Sequence, residues 1–331
     1  MAKLTSPPGA RIGIDENGLG PRLGPLIVTA ALAQVDEKGA QQLARPLPPS
    51  LALDLNDSKV LVSCKNVSLG EAWARTLVER TLGKKPKTPA QLLNLLLLEK
   101  EKSLKKDCPS STINQCWFTQ EEKFEASSEE LSRVSTHLDT LSKLGIEISS
   151  VRTDITCTSR LNQLKEQGIH RFSADLHSME RLILKLHRLA DSQVVATCGK
   201  VGGIGKYERF FGPLSGRLHV VLEEGRAQSC YQFPQLGEIR FVRDADAADP
   251  LVMLASLVGK YVRELTMNRI GAFYREKMQD PTLRFSGYHD PVTNAFVEKS
   301  RALRKRLHIV QDCFERRPAD KSTPRKKASK S

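Results

Sequence analysis

An apolar run near the start, Arg11-Ile-Gly-Ile14, empties directly into two adjacent acids, Asp15 and Glu16. A loop follows, Asn17-Gly-Leu-Gly-Pro-Arg-Leu-Gly-Pro25, and then a second apolar run from Pro25 to Val35. Two strands joined by a Gly- and Pro-rich turn is the economical reading, and it puts two carboxylates where a strand leaves its sheet. The remaining pattern limits what that sheet can be. Residues 146–155, 193–198 and 237–242 read as strands, and 217–222 with 227–233 as a hairpin. Residues 68–80, 89–101, 174–190 and 250 to about 269 have helical periodicity; Leu176, Met179, Leu182, Ile183, Leu186 and Leu189 share one face of the third. Residues from about 103 to 135 are polar and irregular, anchored by Trp117 and Phe118, and read as a peripheral insertion. Strands alternating with helices imply an α/β sheet, and one domain with insertions fits better than two.

Composition narrows the class. The chain has 331 residues, 40% of them hydrophobic, which suffices for a sizeable core. No apolar run approaches the roughly 20 residues a bilayer span needs, and the first nine residues lack a signal-peptide pattern. Seven cysteines are scattered with no C-x-x-C pair, so a cytoplasmic protein without a disulfide framework or zinc knuckle is expected. The net charge is +13, and residues 301–331 hold 11 Lys or Arg against three acids. Their last stretch, Lys321–Ser331, reads as a disordered basic tail suited to polyanions or merely to solubility.

The chemistry concentrates in acids at strand ends. Asp246 follows a later strand and precedes a helix, so it could meet Asp15 and Glu16 at one sheet edge. Clustered carboxylates repel, and a hard divalent cation is the usual compensation. Gly199-Lys-Val-Gly-Gly-Ile-Gly-Lys206 fails the P-loop pattern and reads as a solvated loop, and the seven histidines show no ligand spacing.

Gly13-Ile-Asp-Glu-Asn-Gly-Leu-Gly-Pro-Arg-Leu-Gly-Pro-Leu-Ile-Val28 resembles the opening motif of the ribonuclease HII family. Three further blocks resemble that family in order: Asp57-Ser58-Lys59, Asp246 through Ser256 to Lys260, and Ser286-Gly-Tyr-His-Asp-Pro291. The resemblance covers roughly residues 10–70, 145–205 and 240–300. It implies a ribonuclease H-like mixed sheet flanked by helices over residues 10–300. Residues 1–9 would be an extension, about 85–140 a largely helical insertion, 212–236 a second insertion, and 301–331 a basic tail. It further implies a Mg²⁺- or Mn²⁺-dependent endonuclease acting on RNA–DNA hybrids or on ribonucleotides embedded in duplex DNA, as a monomer without membrane partners. Asp15, Glu16 and Asp246 would be the catalytic, metal-holding carboxylates; Gly18, Leu19 and Gly20 would lie against the ribose; Lys59, Ser256 and Lys260 would hold phosphates; Tyr288 would pack on a sugar.

Two positions depart from the family pattern. Leu19 replaces a basic residue, for which Arg22 could substitute, and Cys198 stands where a third catalytic Asp is expected, with Gly199 there if the alignment slips by one. A thiolate is a poor Mg²⁺ ligand. Asp154, Glu208, Asp244 and Asp249 are candidate replacements. The alternative to an active nuclease is a catalytically impaired nucleic-acid-binding relative on the same scaffold.

Overall fold

The acid-bearing strand lies inside the sheet, paired on both edges. In a computed structural model, which describes residues 7–106, 108, 115–119, 122–201 and 204–318, seven strands form one mixed sheet. They are β1 (Gly9–Asn17), β2 (Leu26–Val35), β3 (Ile146–Thr156), β4 (Val194–Gly199), β5 (Val220–Glu224), β6 (Gln228–Phe233) and β7 (Gly237–Val242), in spatial order β3-β2-β1-β4-β7-β6-β5. β1, β2 and β3 are successively antiparallel, β4 is parallel to both β1 and β7, and the β5–β6 hairpin continues the sheet from β7. The mixed sheet flanked by helices expected from the sequence is the observed architecture.

Alternation along the strands gives each face its own core. Ile12, Ile14, Ala196 and Cys198 pack with Met179, Leu182 and Leu186 of helix Arg171–Ala190. On the other face, β2 and β3 pack with helices Ser68–Leu82 and Pro250–Met278 around Trp73, Leu257 and Tyr261. The long helix comes close to β1: a Cβ on Gly13 would stand 2.2 Å from the Leu251 carbonyl carbon.

Four sequence expectations need correction. The irregular stretch contains a helix, Ser128–Lys143, opened by a Ser127–Glu130 capping box; of its apolar residues only Val134, Leu138 and Leu141 are buried, so its apolar stripe is thin. Helix Pro89–Leu96 stops short of residue 101, because the chain turns to bond Leu98 N–H to the Thr153 carbonyl at 2.7 Å. The long helix runs past 269 to Met278, since Arg269 is buried and paired with Glu122 rather than marking an exposed end. Residues 301–318 are not a tail: helices Arg301–Arg306 and Gln311–Phe314 seat Leu303, Ile309 and Phe314 in a third core with Phe273, Tyr274 and Phe296. Residues 1–6 and Lys321–Ser331 lie outside the described residues. Among those described, no helix is long and apolar enough to cross a membrane.

Gly13→Ala should cost about 1–3 kcal/mol, because its methyl meets backbone that cannot swing aside. Urea unfolding followed by circular dichroism checks this; an unchanged midpoint would contradict the close approach.

Candidate metal and nucleic-acid site

Parallel pairing sends the carboxyl ends of β1, β4 and β7 to the same sheet edge, the usual place for a ligand site in open α/β sheets. Asp15 and Glu16 stand at the end of β1, and Asp246 in the short turn Ala245–Ala247 after β7. The long helix starts at that edge, with Asp249 capping the Leu251 and Val252 N–H groups, and so delivers Ser256. The Asp15 carboxylate accepts a hydrogen bond from Ser256, whose hydroxyl also lies 2.8 Å from that of Ser58. Ser58 and Lys59 open helix Ser58–Leu61, capped by Asp57, and Lys59 Nζ lies 3.7 Å from Asp246 Oδ2.

The field at this edge is negative. Burial, reinforced by repulsion from Asp246, pushes the Asp15 carboxyl up to about 7 against the opposing Ser256 and Lys59. Glu16 is also raised, first by burial and then by Asp175 and Asp15. Asp175 sits in the first turns of helix Arg171–Ala190. That helix runs back toward the start of β4, so its N-terminal end lies at the strands' carboxyl edge.

The donors are hard carboxylate oxygens, which suits Mg²⁺ or Mn²⁺. Among the described residues, no three acidic, histidine or cysteine side chains are grouped so that together they could hold a metal ion. Mg²⁺ takes only one or two carboxylates and leaves its other positions to water and phosphate. The Gly199 position supports the fit, since a Cβ there would stand 3.0 Å from Asp15 Oδ1 and 3.6 Å from Glu16 Oε2, with no other contact within 4 Å outside its chain neighbours.

Cys198 is fully buried in the core beside Ile14, and burial pushes its thiol well up. The residue bordering the acids is Gly199. None of the four acids considered as replacements joins them: Asp154 pairs with Arg181 at 2.6 Å, Asp249 caps the long helix, and Glu208 and Asp244 are exposed. Arg22 does not replace a basic residue at 19 either, being held by Glu315 and Asn294. The buried guanidinium of Arg316 instead donates to the Gly18 (2.7 Å), Leu19 (3.2 Å) and Gly24 (2.7 Å) carbonyls, fixing the loop from the far end of the chain. Gly18 has φ +86°, and Arg263 lies against it while covering the half-exposed Tyr288 ring at 4.9 Å. Gly20 faces open space, and Lys260 is paired with Glu264 at 3.4 Å.

A second cluster needs folding to be seen. Cys108, Cys116, Cys157 and Cys313, far apart in sequence, line one cavity of about 220 Å³.

No protein-family model and no curated protein matches this chain. Solved structures do. Ribonuclease HII from Archaeoglobus fulgidus, in a complex with PCNA, is 16% identical with a TM-score of 0.42, over 95% of this chain and 98% of its own. Ribonuclease H2 from Pyrococcus horikoshii OT3 is 14% identical, TM-score 0.43, over 92% of each chain. Bst-RNase HIII in complex with Mn²⁺ is 14% identical, TM-score 0.45, over 93% of this chain and 66% of its own. These are structures the chain is similar to at low identity; its own fold is the mixed seven-stranded sheet flanked by helices described above.

The buried acids make a pH prediction for this chain. Unfolded Asp releases its proton near pH 4, whereas folded Asp15 keeps it to about 7. The folded state therefore binds more protons between these values, and stability falls as pH rises through that window. Asp15→Asn should raise the melting midpoint of the metal-free protein by roughly 2–4 °C at about pH 8 and leave it unchanged at about pH 4. Equal shifts at both pH values in a calorimetric scan would contradict this.

Proposed function

We propose that this chain is a Mg²⁺- or Mn²⁺-dependent endonuclease of ribonuclease H type, hydrolysing RNA within RNA–DNA duplexes or ribonucleotides embedded in DNA. The observation carrying the reading is the common electrostatic neighbourhood of Asp15, Glu16 and Asp246 at one end of parallel strands, beside Lys59 and Ser256. When bound, the cation would acidify a water and neutralise charge on the phosphodiester. One or two of the carboxylates of Asp15, Glu16 and Asp246 would hold it directly, and the rest would act on it through its water ligands. Ser256 positions the Asp15 carboxylate, and Lys59, largely exposed beyond its contact with Asp246, can turn to a phosphate. The Gly18–Gly20 backbone, fixed by Arg316, offers a close approach to a ribose whose 2′-hydroxyl separates RNA from DNA. Tyr288, backed by Arg263, presents a ring to the adjoining sugar. The basic run Lys321–Ser331 would add salt-sensitive affinity for the nucleic-acid backbone.

A second reading, a binding protein without cleavage, has one observation in its favour: the end of β4 carries no carboxylate at Cys198 or Gly199. A duplex with a single ribonucleotide separates the two. With Mg²⁺ or Mn²⁺ the wild type should cut it, and Asp15→Asn should lower the rate more than about 100-fold. Binding without cleavage by the wild type in either ion would favour the second reading.

A further inference from the structure

Helix Arg171–Ala190 carries two buried acids with opposite fates. Glu180 is satisfied: its carboxylate accepts from the Leu214 N–H at 2.8 Å and the Gly212 N–H at 3.1 Å. Asp175 is equally buried, yet neither of its oxygens has a hydrogen-bond partner. A carboxylate out of water without donor or counter-charge is among the costliest arrangements a fold can contain. The charges around it add to the cost, for Asp15 acts on it and it is the strongest charge acting on Glu16. The Cys198 thiol and the Tyr207 hydroxyl are also within its field.

Across from this helix the end of β4 is bare. The space that a side chain on Gly199 would enter is bordered by Asp15 Oδ1 and Glu16 Oε2. β1 and the helix thus both bring acids into one electrostatic neighbourhood, while the end of β4 contributes backbone alone beside Asp15 and Glu16. A single hard cation among them would answer the unpartnered oxygens and the mutual repulsion together.

We propose that Asp175 is a carboxylate of the cation site, supplied by helix Arg171–Ala190 in place of a side chain from the end of β4. The inference rests on the cation-dependent reading above, and its test separates the two. Mn²⁺ is titrated into the full-length protein by calorimetry, with free Mn²⁺ counted by electron paramagnetic resonance, for the wild type, Asp15→Asn, Asp175→Asn and the double variant Asp175→Asn/Gly199→Asp. The wild type should bind Mn²⁺, Asp175→Asn should weaken binding at least about tenfold, and the new carboxylate at 199 should restore much of the loss. The melting midpoint should agree, with the Mn²⁺-dependent rise seen in the wild type shrinking in Asp175→Asn. If Asp175→Asn does not fold, Asp175→Ser serves the same comparison. Wild-type affinity in the Asp175 variant, with affinity lost in Asp15→Asn, would overturn the role of Asp175 and leave the cation reading standing. No Mn²⁺ binding by the wild type would overturn both.

Discussion

Repulsion between carboxylates held out of water is the constraint around which this molecule is arranged. Asp15 and Glu16 are held in place by β1, which pairs with β4 as far as Ile14 and with β2 as far as Asn17. Asp246 approaches from a turn tied to β7, and Asp175 from a helix whose stripe is locked into the core. Nearby positive charge is sparse. Lys59, the basic group that acts on Asp15 most, is largely exposed, so solvent screens it. The sheet thus stores an electrostatic cost that a divalent ion would relieve, and function and stability are opposed at this edge.

The rest of the fold serves to hold that edge in place. Gly13 lets the long helix lie directly on β1, and Gly259 does the same beside Asn17 and Thr29. This close packing brings Ser256 to Asp15 and leaves little slack for the acids to separate. The glycine loop after β1 is fixed differently. Arg316 spans it with three carbonyl contacts from a segment nearly 300 residues away, so the C-terminal helices belong to the site architecture rather than trailing behind it. Burial and the neighbouring Arg171 and Arg263 pull the Arg316 guanidinium down to about 9, the cost of placing one cation among others.

Much of this was legible in the sequence, for identifiable reasons. Asp15 and Glu16 are adjacent and end an apolar run, so their place at a strand end needs no tertiary information. Asp246 precedes a helix start that Pro250 marks clearly. The phase of β4 was harder, since a one-residue step exchanges a core thiol for a glycine beside the acids, and local letters do not fix which faces which way. Asp175 escaped notice, although a signal was present: it falls in phase with Met179, Leu182 and Leu186, an acid on the apolar stripe of an amphipathic helix. Arg316 was hidden more completely. Its surroundings are basic and polar, and only tertiary packing turns that segment into a buried brace. The gathering of four distant cysteines on one cavity is likewise invisible to spacing.

The central claim is that folding brings these acids to one place in order to hold a divalent ion. Crystals grown with Mn²⁺ and measured at the manganese absorption edge test it most directly. Anomalous density among Asp15, Glu16 and Asp246 is the predicted result. Well-ordered carboxylates with no such density at millimolar Mn²⁺, or an ion bound only elsewhere on the protein, would contradict it.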